Sequence, residues 1–284
     1  MGKIWPCIRG PFSTIRQGWR VALAAGAFLY FFTGGAFLSW VLLPLGRLGV
    51  ASEHEMRNRC QRMVQRAFLI FHAYMRHCGL VNFDPRSARL SQPHQPVVIV
   101  ANHPTLVDTT AMLAAYDRLC VVTKASLHQS PLLGPLLRYC GHIDSGNVAF
   151  QSVFEMIEQA KTRLSDGYSV LIFPERTRSP IRTLHRFRRG AFELAQQAGA
   201  PILPVYIYAE PPALKRGQPW WDIPRESIQF RLVPGELILP HDQAGQPRDS
   251  HTLRSLAHTF IAENHRRQSQ LDPQADRQNT GLGL

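Results

Sequence analysis

Two short runs carry side chains that could do chemistry together. They are Asn102-His103-Pro104-Thr105-Leu106-Val107-Asp108 and Phe173-Pro174-Glu175-Arg176-Thr177-Arg178-Ser179. In the first, Pro104 pushes the preceding residue out of the α region while itself suiting the first turn of a helix. His103 is therefore expected just outside a helix beginning at Pro104, with Asp108 on its first or second turn. From there the carboxylate can hold imidazole Nδ1–H and leave Nε2 free to accept a proton, the base-and-orienter half of a triad. Histidine titrates near neutral pH, so such a base could deprotonate a substrate hydroxyl without any protein nucleophile. The same spacing also describes a helix-capping histidine with a surface aspartate.

The second run follows Tyr168-Ser169-Val170-Leu171-Ile172, an apolar stretch after the Asp166-Gly167 turn that reads as a buried strand. Thr177 and Arg178 then lie at the strand's C-terminal end, where open α/β sheets bind ligands. A guanidinium fork there suits phosphate or carboxylate. Arg182, Arg186, Arg188 and Arg189 follow closely, so a solvated basic loop is the competing reading.

Taken in order, the blocks resemble the glycerolipid acyltransferases that include the 1-acylglycerol-3-phosphate O-acyltransferases. Asn102, His103 and Asp108 match that family's N-H-x4-D block, and Phe173, Pro174, Glu175, Thr177, Arg178 and Ser179 match its F-P-E-G-T-R-S block. Val122-Thr123-Lys124 through Gly141-His142-Ile143-Asp144, Phe187 to Phe192, and Ala200 to Val205 are similar to its remaining segments. The resemblance spans roughly residues 97 to 208. It implies that His103 and Asp108 are catalytic and that Lys124, Glu175, Thr177 and Arg178 bind the acceptor, Arg178 holding an anionic head group. There are two departures: Ser145 stands where the family usually has Arg, and Arg176 where it usually has Gly. Arg176 could replace the missing charge and join the acceptor site, the acceptor could differ from a plain glycerol phosphate, or Arg176 could point to solvent.

The formal charge of +12, with only four lysines among 32 basic residues, favours anionic polymers or anionic lipids. The apolar residues separate these partners. Val21 to Leu43 contains no charge and is long enough for a hydrocarbon core at ~20 residues per span, beyond the ~7 to 15 residues of a signal core. Both flanks are basic: Lys3, Arg9, Arg16 and Arg20 precede the segment, and Arg47, Arg57, Arg59, Arg62 and Arg66 follow it, so neither end is marked for translocation. Gly34-Gly35 and Pro44 permit a bend, so a re-entrant or in-plane helical hairpin with both ends cytoplasmic is expected, similar to the N-terminal motif of bacterial members of the family. A single span is the alternative.

Residues 53 to 78 show one apolar stripe, from Met56, Cys60 and Val64 to Phe71, Met75 and Cys78, opposite Arg57, Arg59, Arg62 and Arg66. Such a helix could lie on anionic lipid or pack on a core with its basic face in water. Lys215 to Trp221, with paired indoles, suits the headgroup zone or a structural role.

Strands are expected at 97–101, 119–123, 168–173, 202–208 and 228–233, with helices at 105–116, 132–139, 150–164 and 190–198. The alternation implies an α/β fold: a mixed, largely parallel sheet flanked by helices, preceded by a membrane-associated helical segment. The expected organisation is 1–80 membrane-associated helices, 81–267 acyltransferase domain and 268–284 disordered tail. Cys7, Cys60, Cys78, Cys120 and Cys140 show no metal-ligand spacing and read as reduced thiols, and no P-loop or GxGxxG run occurs. We therefore expect no metal and no cofactor beyond an acyl thioester of acyl carrier protein or coenzyme A as co-substrate. The expected partners are a lysolipid acceptor and the bilayer, with no nucleic acid, at the cytoplasmic face of a bacterial inner membrane. The resemblance implies O-acylation of a lysolipid such as 1-acylglycerol-3-phosphate. The alternatives are another lysolipid such as lyso-ornithine lipid, or a non-catalytic membrane adaptor with the same fold.

Overall fold

The computed structural model describes residues 11–89, 93–146, 150–180, 183–215 and 217–271. Short runs rich in Val, Ile and Leu form β1 (Val81–Asn82), β2 (Val98–Ala101), β3 (Leu119–Thr123), β4 (Ile143–Asp144), β5 (Ser169–Ile172), β6 (Ile202–Glu210) and β7 (Ile228–Pro234). They make one sheet in the order β1-β7-β6-β2-β5-β3-β4, parallel throughout except for β6 against β7. Strands of a parallel sheet are covered on both faces, which is why β2 and β5 are apolar at nearly every position.

The helices are α1 (Pro11–Phe37), continued by a π turn (Leu38–Leu42) into α2 (Leu43–Leu45), then α3 (Glu53–His77), α4 (Pro85–Arg89), α5 (Asp108–Ala115), α6 (Ala125–His128), α7 (Gly134–Tyr139), α8 (Phe150–Ser165), α9 (Gly190–Ala198) and α10 (Ser250–Leu271). Alternate residues of β2 divide the core. Val97, Ile99 and Ala101 join Phe71, Met75, Ala111 and Met112 on the face covered by α3 and α5. Val98 and Val100 join Ile157, Ala160, Phe192, Leu194, Leu253 and Ile261 on the face covered by α8, α9 and α10.

Three expectations need correction. The bend at Gly34-Gly35 does not form, and the helix runs on through a π turn to Leu45. The hairpin lies instead between α1 and α3, with its turn at 46–52. Tyr74 Oη donates to Leu23 O at 3.0 Å, Tyr30 Oη to Ala67 O at 3.3 Å and Arg59 to Gly46 O at 3.2 Å, so the two helices run antiparallel. The charges on the N-terminal flank are not all free: Lys3 and Arg9 lie outside the described residues, and Arg20 is buried, donating to the carbonyls of Gly79, Pro224 and Glu226. Finally, α10 carries helix through Leu271, so residues 268–271 are its last turn; 272–284 lie outside the described residues.

Of the two readings of α3, packing on the core is the one observed. Arg57 pairs with Asp166 at 3.2 Å and lies 5.5 Å over the Tyr168 ring, and Arg59 is tied to the carbonyls of Gly46 and Leu48. Trp220 and Trp221 are partly exposed, and Trp220 rests 5.6 Å from Phe28 of α1.

Candidate active site

Neighbouring parallel strands bring the two runs together. Val100 of β2 is in register with Ile172 of β5, so the chain leaves both strands at the same C-terminal edge and His103 meets Phe173 there. The imidazole stacks on the Phe173 ring at 4.4 Å between centroids and 21° between planes. Its Nδ1 lies 2.7 Å from Asp108 Oδ2, and Nε2 has no protein partner among the described residues.

Asp108 is fully buried and heavily bonded. Its Oδ2 also accepts from Thr105 N at 2.7 Å, and its Oδ1 accepts from Thr105 Oγ1 at 2.5 Å. These bonds wind residues 105–107 around the carboxylate, so α5 starts at Asp108 and not at Pro104 as the sequence suggested. With Thr105 N and Oγ1 donating to the same carboxylate, Asp108 is left as the acceptor for Nδ1–H of the ring. A histidine fixed in that tautomer presents Nε2 as the acceptor.

Glu175 is placed differently from the expectation that it binds the acceptor. It is 5% exposed, and its carboxylate accepts from His103 N, Ser179 Oγ and His185 N at 3.2, 2.6 and 2.7 Å. Ser179 N in turn donates to His103 O at 2.7 Å. Glu175 is thus a brace that locks the loop after β5 to the backbone of the histidine. Asn102, also buried, exchanges two bonds with Ile207 of β6 and fixes the other side.

Arg178 Nη1 donates to Leu214 O at 2.6 Å, and Arg178 lines a cavity of about 700 Å3 shared with Ser179, His185, Lys215, Gln218 and Asp222. Thr177 is half-buried on the same loop. Arg176 is exposed in the left-handed region at φ 60°, and its side chain has no partner among the described residues. Lys124 is exposed just after β3, at the same edge of the sheet, and makes no bond to the His103 cluster.

Sequence reasoning gave no role to Phe173, Thr105 or Ser179, and it read Lys215 only as a surface contact. A threonine three residues before the aspartate, in the pattern of a side-chain turn, was the available signal for Thr105. Nothing in the spacing links Lys215 to Arg178.

Residues 86–208 match a family model described as Acyltransferase. The matched segment contains the His103–Asp108 pair, Lys124 and the whole 173–179 loop. The chain is 30% identical over 176 residues to a 1-acyl-sn-glycerol-3-phosphate acyltransferase of Chlamydomonas reinhardtii, covering 62% of this chain and 50% of that one. It is 30% identical over 181 residues to the mouse 1-acyl-sn-glycerol-3-phosphate acyltransferase alpha, covering 63% and 62%. The chain thus spans between half and two thirds of the length of these two relatives. The crystal structure of the 1-acyl-sn-glycerophosphate acyltransferase PlsC from Thermotoga maritima shares the fold, with a TM-score of 0.66 and 18% identity over 90% of this chain and 98% of that one.

Proposed function

We propose that the chain transfers a fatty acyl group from an acyl thioester to the free hydroxyl of a lysolipid, with 1-acylglycerol-3-phosphate as the acceptor, in phospholipid biosynthesis. The observation that carries this reading is the 2.7 Å contact between His103 Nδ1 and the buried Asp108 carboxylate, which leaves Nε2 open. Nε2 takes the acceptor's hydroxyl proton as that oxygen attacks the thioester carbonyl. Asp108 holds the ring's orientation and stabilises the imidazolium. Collapse of the tetrahedral intermediate breaks the carbon–sulfur bond, and the proton passes from the imidazolium to the departing thiolate.

The cavity adjoins Ser179, whose hydroxyl accepts from His103 N at 3.2 Å, and its charge suits an anionic acceptor. Arg178 and Lys215 outnumber the one carboxylate lining it, Asp222, and Ser179 and Gln218 supply hydrogen-bonding groups. Arg176, on the same loop, and Lys124, after β3 at the same edge of the sheet, are the further cations we assign to the acceptor. Acyl carrier protein or coenzyme A carries the donor chain. We assign the protein to the cytoplasmic face of a bacterial inner membrane, held by α1 lying in the plane of the interface. The exposed Leu106, 49% accessible in the turn after His103, would face the lipid side of the cleft.

Purified protein given a mixture of lysophosphatidic acid and lyso-ornithine lipid with one acyl thioester should yield phosphatidic acid, read by mass spectrometry. His103→Ala should lower the rate by roughly 10²- to 10⁴-fold. Acylation of lyso-ornithine lipid alone would shift the acceptor assignment. Near-normal turnover by the variant would sink the mechanism, and no product from either protein would favour a non-catalytic adaptor.

A further inference from the structure

Two imidazoles that the proposed reaction does not use are almost fully buried, His142 and His72. His142 Nδ1 accepts from Val121 N at 3.1 Å and so ties the turn before β4 to β3. His72, on α3, makes a single hydrogen bond among the described residues: its Nε2 stands 3.1 Å from Thr110 Oγ1 of α5. Its Nδ1 is sealed from water without a partner, and the ring lies edge-on to Phe83 at 5.1 Å between centroids. An orphaned buried nitrogen destabilises the fold, and a leucine or phenylalanine would fill the same space without that cost. What the imidazole supplies in return is the Nε2 bond.

The directions of the bonds follow from what each atom can do. Thr110 Oγ1 lies 2.7 Å from Val107 O, which can only accept, so the hydroxyl places its one proton there. Its lone pair is left for His72, whose Nε2 must carry the ring's proton. Burial keeps that ring neutral, with its pKa lowered to about 4. On the other side of Val107, its N donates to Thr105 Oγ1 at 3.3 Å, and Thr105 Oγ1 donates to Asp108 Oδ1 at 2.5 Å. The second oxygen of that carboxylate meets His103 Nδ1 at 2.7 Å.

His72, Thr110, Val107, Thr105 and Asp108 are all buried, so water does not compete for these bonds. Asn102 and Glu175 hold the backbone around His103, but neither bonds the turn that leads to Asp108. That turn is held from α3 instead. Tyr74 of the same helix donates to Leu23 O of α1, so the element that braces the turn also holds the hairpin together.

We propose that His72 is a positioning residue for acyl transfer: from α3 it fixes Thr110 and, through Val107 and Thr105, the carboxylate that orients the His103 ring. The proposal rests on the general-base role proposed for His103.

Steady-state acyl transfer by the full chain in detergent, together with ring-15N spectra of its histidines, tests this. Glutamine is the conservative replacement, because its Nε2 stands as many bonds from Cβ as the imidazole Nε2 and can donate to Thr110. His72→Leu should lower kcat about tenfold or more at an unchanged KM, since small misplacements of a reacting group are costly. His72→Gln should recover most of that loss. In the spectra His103, assigned through His103→Gln, should hold the Nδ1–H tautomer in the wild type and drift toward a mixture of tautomers in His72→Leu. Thr110→Val against Thr110→Ser repeats the comparison if leucine at position 72 prevents folding. Equal losses in His72→Leu and His72→Gln, a loss carried by KM, or a His103 spectrum unmoved by His72→Leu would overturn the proposal and leave His72 as a packing residue. A wild type without acyl transfer would instead sink the proposed reaction, and the tautomer comparison alone would then decide whether His72 braces His103.

Discussion

At the scale of single residues, Arg176 and Glu175 reverse the roles their types suggest. Arg176 N donates to Phe173 O at 3.2 Å to close a turn that needs φ near 60°. That conformation costs a residue with a Cβ about 1 kcal/mol or more relative to glycine. Arg176→Gly should therefore raise unfolding stability by about 1 kcal/mol in denaturant titrations. If the guanidinium also serves the acceptor, KM for lysophosphatidic acid should rise in the same variant; an unchanged KM leaves Arg176 as a solvent-facing residue in a strained turn. Glu175 calls for the opposite test. Glu175→Ala leaves the donors of His103, Ser179 and His185 without their carboxylate, at roughly 1 to 3 kcal/mol for each group left buried and unpaired. A large drop in thermal midpoint with a loss in kcat is expected. A raised KM with an unaltered midpoint would restore Glu175 to the acceptor site. The His103–Asp108 pairing was legible because proline and the five-residue step constrain it locally. The fate of Glu175 was not, because all three of its donors depend on how two loops from different strands meet.

At the scale of elements, two buried imidazoles make stability depend on pH. His72, in α3, is 1% exposed, with Nε2 bonded to Thr110 Oγ1 at 3.1 Å, and burial lowers its pKa to about 4. His142, before β4, is lowered to about 3, chiefly by burial and secondarily by His128. Both values fall below the ordinary 6.5, so between 6.5 and these values the unfolded chain binds protons that the folded chain does not. Stability should hold above about pH 6.5 and fall as pH drops, by roughly 1.4 kcal/mol per unit for each ring, until the folded values are reached. His142→Asn, whose amide oxygen can accept from Val121 N, should remove one ring's share of that slope. A slope unchanged from wild type, in thermal midpoints taken from pH 7 to 5, would count against a neutral buried His142. Most elements were legible from apolar periodicity; β3 and α9 match their expected bounds. The two-residue β1 and β4 fall below any pattern. α10 went unread because its core contacts, Leu253, Ala257 and Ile261, are diluted by histidines and arginines. The α1–α3 turn at 46–52 was displaced in the reading because Gly34-Gly35 looked like a hinge, whereas the helix passes through both.

At the scale of the whole molecule, the N-terminal helix has two unlike faces, and that decides how it can meet a bilayer. The stretch Arg16–Leu45 is long and apolar enough to cross one, with a mean hydropathy of 1.8 over an 18-residue window. A crossing helix must be apolar to lipid all round over ~20 residues. Here one face is spent on the protein: Arg20, Ala24, Ala27, Leu38 and Leu43 are buried, and Arg20 bonds three carbonyls of the domain. The other face exposes Trp19, Leu29, Phe32, Phe37, Trp40 and Leu45. A helix that packs along α3 and is tied by Arg20 to the carbonyls of the domain cannot pass through a membrane without drawing those elements in with it. It can lie in the interface with its outer face ~5 to 10 Å deep. Leu29, 65% exposed near the middle of the stretch, distinguishes the geometries. In a single-tryptophan protein carrying Leu29→Trp, lipids brominated near the glycerol end of the acyl chain should quench fluorescence more than lipids brominated near its methyl end. Stronger quenching by the deep bromines would mean that α1 leaves the domain and spans, and the exposed cleft beside His103 would then face water rather than lipid.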